Sequence, residues 1–234
     1  MTCTHCIGHR SLLIAAVLLA LPPPAVALGQ GVEFGIKAGL SRSDFRGRAS
    51  DEWNARSGPA GGVFVDLRLS HWLSIRSELF LTPKEVFKSD TVGSVEIRFD
   101  RTPLYLDVPV LARITFPNLR SPVKPGLLLG FALSFELACT ETSFSRDLTD
   151  GVTLNERAGD CALRLTVPES PEIGAVIGLV TELRVVGVPV GLEARYTRGL
   201  FDLGHSRFAA EQNFPEYRNA VASVLMYVTL KRSN

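Results

Sequence analysis

Val32-Glu33-Phe34-Gly35-Ile36-Lys37-Ala38-Gly39-Leu40 alternates without a fault. Val32, Phe34, Ile36, Ala38 and Leu40 share one face, and Glu33, Gly35, Lys37 and Gly39 share the other. Period two is the signature of a β-strand with unlike surroundings on its two sides. Seven further segments read the same way. They run over about 61–70, 72–82, 104–114, 126–138, 173–185, 188–197 and 219–231. The second places Val63, Val65, Leu67 and Leu69 opposite Gly62, Phe64, Asp66 and Arg68. The fifth sets Leu127, Leu129, Phe131, Leu133, Phe135 and Leu137 against Gly126, Gly130, Ser134 and Glu136.

Segments of roughly 9–13 residues match what a tilted strand needs to cross a bilayer, whereas soluble sheets use strands of about 5–6 residues. The connections alternate in length. Long ones cover 41–60, 83–103, 139–172 and 198–218; short ones lie at His71, at 115–125 and at Val186-Gly187. Long external loops and tight periplasmic turns are the rhythm of an outer-membrane barrel. The predicted fold is therefore all-β: an eight-stranded, antiparallel, up-and-down transmembrane β-barrel. Trp72 and Phe116 fall beside periplasmic turns, where an aromatic girdle belongs.

The N-terminal residues have a different character. Arg10 gives a positive start, Ser11 to Leu21 carries no charge, and Pro22, Pro23 and Pro24 end the run before Ala25-Val26-Ala27. This order predicts a secretory signal peptide over 1–27, removed on export. Eleven apolar residues are too few for a membrane helix, which needs about 20. The mature part, 28–234, reads as one barrel domain. Loss of Arg10 leaves 24 basic residues against 24 acidic ones, a balance that gives no attraction to nucleic acid. The partners predicted are outer-membrane lipid and, during biogenesis, the outer-membrane assembly machinery.

Several pieces resemble the PorT-like family of small outer-membrane β-barrel proteins. The opening Gly35-Ile36-Lys37-Ala38-Gly39-Leu40-Ser41 is followed by Gly61-Gly62-Val63-Phe64-Val65 and Leu73-Ser74-Ile75-Arg76-Ser77-Glu78-Leu79. Tyr105-Leu106-Asp107-Val108-Pro109-Val110-Leu111 is similar to that family's Tyr-Leu-Glu-Ile-Pro-Leu-Leu motif. Pro125-Gly126-Leu127-Leu128-Leu129-Gly130 and Leu192-Glu193-Ala194-Arg195-Tyr196-Thr197-Arg198-Gly199-Leu200 fit its later strands. The resemblance implies an eight-stranded barrel in the outer membrane and no catalytic residues.

With apolar faces outward, the inward face carries Glu33, Asp66, Glu78, Asp107, Glu136, Glu182 and Glu193. It also carries Lys37, Arg68, Arg76, Arg113, Arg184 and Arg195. Seven acids against six bases can pair across a lumen that, with eight strands, is narrow enough to be filled by side chains or to hold one small ligand. A filled scaffold with a structural or loop-mediated binding role is the leading expectation. A narrow channel or single-ligand carrier is the alternative, followed by an outer-membrane hydrolase or acyltransferase and a soluble lipocalin-like binder. Pro109 and Pro189 require a bulge or a nearby strand start.

Cys139 and Cys161 form an even pair in an oxidising compartment, which predicts a disulfide. A Cys metal site is the rival reading, but no His accompanies the pair. Asp202, His205 and Ser206 form the one constellation that invites thoughts of hydrolysis, and such spacing arises readily by chance. No phosphate-cradling loop or Cys/His zinc pattern occurs, so no cofactor is expected.

Overall fold

The computed structural model describes residues 31–46, 54–116, 123–161, 172–200 and 218–232. The 1–27 leader and the Asp202, His205 and Ser206 group lie outside them. The described residues form ten strands: β1 Val32–Arg46, β2 Asn54–Arg68, β3 Leu73–Pro83, β4 Val86–Val92, β5 Val95–Thr115, β6 Lys124–Asp147, β7 Thr153–Asp160, β8 Glu172–Val185, β9 Val188–Gly199 and β10 Arg218–Arg232. No helix occurs among the described residues.

Every pairing is antiparallel. β1 pairs with β2, and the ladder continues through β3, β5, β6, β8, β9 and β10 before β10 returns to β1. Eight strands thus close a ring, which leaves the wall without a free edge. β4 and β7 stand outside the ring, on the flanks of β5 and β6.

This corrects the expectation of loops at 83–103 and 139–172. β5 and β6 continue past the wall as a single ladder up to Val95↔Asp147. β4 folds back on β5 through Gly93, whose φ of 64° is one that glycine accepts freely. β7 folds back on β6 after a turn in which the Thr149 amide donates to the Asp147 carboxylate at 2.8 Å. Two hairpins therefore rise from one end of the barrel. At the other end the connections are short. Leu69 to Trp72 join β2 to β3, with the Leu73 amide donating to Ser70 Oγ at 3.1 Å. Val186 and Gly187, both at positive φ, join β8 to β9, as a two-residue hairpin turn that follows strand twist requires.

The prolines sit where the ladder tolerates them. The β3–β5 pairing lapses between Ser77↔Val110 and Phe80↔Asp107, where Pro109 lies, and resumes in the same register, so no bulge is needed there. Pro189 is the second residue of β9. Outward positions form an apolar band that includes Phe34, Ile36, Val63, Leu79, Phe131 and Leu192, all exposed. Trp72 and Phe116 are exposed at the turn end, linked through the Thr115 amide on the Trp72 carbonyl at 2.7 Å.

Candidate functional site: the charged lumen

The inward columns meet in a cross-strand network at mid-barrel. Lys37 on β1 reaches Glu78 on β3 at 2.5 Å and Glu193 on β9 at 3.0 Å. Arg76 grips Asp66 with two nitrogens, Nε at 3.0 Å and Nη2 at 2.6 Å, the forked geometry that gives guanidinium–carboxylate pairs their strength. Its third nitrogen is 3.3 Å from Glu193. Arg195 donates to Glu78 at 2.7 Å, and Arg113 bridges Asp66 at 3.3 Å and Glu182 at 2.8 Å. Four bases thus meet four acids. The side chains of Lys37, Arg76, Glu78 and Glu193 have no solvent exposure. At such depth an unmatched charge would cost several kcal/mol, so the pairs stand or fall together.

Aromatic rings complete the packing. The Arg76 guanidinium lies 4.2 Å from the Phe64 ring centre and 4.8 Å from that of Tyr227. Arg195 lies 4.4 Å from the Phe80 ring. Phe64 and Tyr227 meet edge to face at 5.5 Å. These rings lie over backbone without side chains: a Cβ on Gly35 would come within 2.2 Å of Phe64, and one on Gly191 within 2.0 Å of Tyr227. Ring and glycine are complementary halves of one packing solution. Leu111, Leu128, Val176 and Val180 fill the remaining side as an apolar cluster.

Two further groups lie above and below. Toward the turn end, Arg68 pairs with Glu33 at 2.5 Å, beside a cleft of about 260 Å³ that also involves His71 and Lys124. Toward the hairpin end, Lys84 sits 3.2 Å from Glu172, 3.9 Å from Asp107 and 3.9 Å from the Tyr105 ring centre. Thr82 donates to Asp107 at 2.7 Å, and Asn219 donates to Glu172 at 2.7 Å. Tyr105 donates to Glu136 at 3.3 Å.

Among the charges read as lumenal from sequence, Arg184 is the exception, because its side chain is exposed. Its parity matches that of Glu182, but it pairs with Pro189 one step from the Val186–Gly187 turn. It has passed beyond the lumen. Lys84 and Glu172 were missed because both fall at the borders of stretches read as loops, although each is buried or half-buried. Leu111, Leu128 and Leu225 are apolar yet face inward and are buried, so a strict apolar-outward alternation does not identify them. Cys139 on β6 and Cys161 just after β7 form a disulfide, with Cα atoms 5.5 Å apart, at the base of the β6–β7 hairpin. No group of metal-ligating residues occurs among the described residues.

A closed antiparallel ring with an apolar outer band and a charged interior defines a membrane β-barrel protein. The family described as "Outer membrane protein beta-barrel domain" matches residues 24–204. The chain belongs to this family, and its place is the bacterial outer membrane. Among solved structures, Neisserial surface protein A (NspA) is 14% identical over 84% of this chain and 97% of its own, with a TM-score of 0.40. Ail, the attachment invasion locus protein of Yersinia pestis, solved in complex with the heparin analogue sucrose octasulfate, is 9% identical over 85% and 99%, with a TM-score of 0.39. OprG from Pseudomonas aeruginosa is 9% identical over 86% and 97%, with a TM-score of 0.33. Likeness at this level carries no argument about function. No curated protein matches the chain.

Proposed function

We propose that this protein is a plugged outer-membrane scaffold that displays structured hairpins outside the cell, in a structural or binding role, and that it is neither a general pore nor an enzyme. One observation carries the reading: the interior is spanned by paired, fully buried charges, while among the described residues the wall extends beyond the ring at one end only, as the β4–β5 and β6–β7 hairpins. Charges locked in bidentate and bridging pairs leave little room for a continuous water column. Surface elements held on a rigid frame are where recognition is usually built. On this reading the hairpin end faces outward and the Leu69–Trp72 turn faces the periplasm. Residues 1–27 are the export signal, the finer family placement is PorT-like, and Cys139–Cys161 is oxidised after export.

An epitope tag inserted after Gly93, at the tip of the β4–β5 hairpin, tests the display. Antibody should stain intact cells that carry the tagged protein. Staining only after the outer membrane is permeabilised would reverse the orientation and sink the reading.

A further inference from the structure

The outer wall is apolar nearly everywhere, which makes its exceptions informative. Below the level where the hairpins leave the ring, the outward column carries charge among the described residues at Arg42, Asp44 and Arg198. All three lie in one sector. Arg42 is opposite Ala222 on β10, Ala222 is opposite Tyr196 on β9, and Arg198 follows Tyr196 by one outward step. Arg42 and Arg198 are both exposed, and neither forms an ion pair with any described residue. Both are near the ends of β1 and β9 at the hairpin end of the barrel, the headgroup level of the outer leaflet in the orientation proposed above.

Beneath them the same sector is hollow. A trough of about 730 Å³ lies across the wall from β1 to β8, with Leu40, Ile177, Leu179 and Val224 as its sides and Ala194 and Ala222 as its floor. Arg42 and Tyr196 stand on its rim. The hollow lies over two neighbouring outward positions, Ala194 and Ala222, whose methyl groups are set among the larger Leu40, Val224, Ile177 and Leu179. A smooth apolar wall solvates any acyl chain equally; a trough with the Arg42 guanidinium on its rim, and Arg198 one outward step beyond its rim residue Tyr196, does not.

We propose that this sector is a binding site for a phosphorylated lipid of the outer leaflet. One acyl chain lies in the Ala194–Ala222 trough, and the headgroup phosphate accepts hydrogen bonds from Arg42 and Arg198. Guanidinium forks suit phosphate oxygens better than point charges do, and arginine at a membrane surface contributes about fivefold in affinity for anionic lipid. The assignment rests on the outward orientation of the hairpin end, which the tag experiment tests independently.

The test is native mass spectrometry of the full chain folded in neutral detergent, titrated with bis-phosphorylated lipid A and with the same lipid after dephosphorylation. The expected result is one retained phosphorylated lipid per barrel, held at least tenfold more tightly than the dephosphorylated form. The R42Q/R198Q double variant should lose about 30-fold in affinity for the phosphorylated lipid and little for the other. Ala222→Leu, which fills the floor and leaves both arginines, should weaken both lipids alike. If the double variant fails to fold, the comparison of the two lipids on the unaltered protein, together with Ala222→Leu, still decides the matter. Equal retention of the two lipids would overturn the proposal, as would unchanged binding in a folded double variant. Full displacement by 10 mM inorganic phosphate would mean a simple anion site, and a lipid-free dimer would assign the trough to a second copy; either result overturns it.

Discussion

The lumen and the hairpins are built from the same strands by opposite rules. Inside the ring, every charged side chain of the central network except the half-buried Glu182 is buried, and each is answered by a partner from another strand, such as Lys37 by Glu78 and Glu193. In the hairpins the eight residues of β7 are all exposed, and Arg98 is held between Phe87 and Phe144, at 4.5 and 5.8 Å, and salt-bridged to Asp100 at 3.0 Å. Burial makes the first region cooperative. Exposure leaves the second to depend on its ladders and on one covalent bond. The same change of a single residue should therefore act on the whole barrel in one region and stay local in the other.

Arg76→Ala strikes the cooperative side hardest. It strips Asp66 of its forked partner, leaving only the 3.3 Å contact with Arg113, and removes one of the cations around Glu193 in a site closed to water, so a loss of about 3–5 kcal/mol is expected. Urea titration of the barrel in lipid vesicles, followed by heat-modifiable gel migration, should show the midpoint of the entire protein falling. A midpoint within experimental error of the unaltered protein would remove the distinction between the two regions.

Replacing Cys139 and Cys161 by Ser should have its effect elsewhere. The bond closes a segment with a sequence separation of 22, a size for which chain entropy gives about 3 kcal/mol at most. Since that segment lies in the β6–β7 hairpin, the expected outcome is faster protease cleavage and hydrogen exchange within 140–160, with the barrel midpoint unmoved. A falling midpoint would show that the hairpin and the ring unfold as one unit.

Gly191→Ala sharpens the lumenal side. The new methyl would overlap the Tyr227 ring unless ring or strand moves, at a cost of about 1–3 kcal/mol from overpacking. The same denaturation assay reads it, and the loss should be smaller than that of Arg76→Ala. Arg98→Ala is the mildest. A half-exposed guanidinium over aromatic faces is worth about 0.5–1 kcal/mol, visible as increased exchange in β4 and β5 and not in global stability.

How much of this was legible follows the same division. Wherever one face met lipid and the other met the lumen, alternation alone separated Phe34 and Ile36 from Glu33 and Lys37, and the charges of the network could be named in advance. Parity fixes a face but not a height, so Arg184 was assigned to a lumen that it overshoots. In Leu127-Leu128-Leu129 both faces are apolar, and Leu128 could not be told from its neighbours although it is fully buried. β7 offers no contrast at all, because a strand exposed on both sides has no reason to alternate. Lys84 and Glu172 were hidden for a related reason: their pairing depends on a ring closure that brings positions 88 residues apart into contact.

Single-channel recording across a planar bilayer tests the central claim most directly. If the paired charges close the lumen, purified protein inserted in 1 M salt should give a flat baseline with no reproducible current steps. Steady unitary steps from the unaltered protein, present in every insertion and absent from a protein-free bilayer, would contradict a filled barrel.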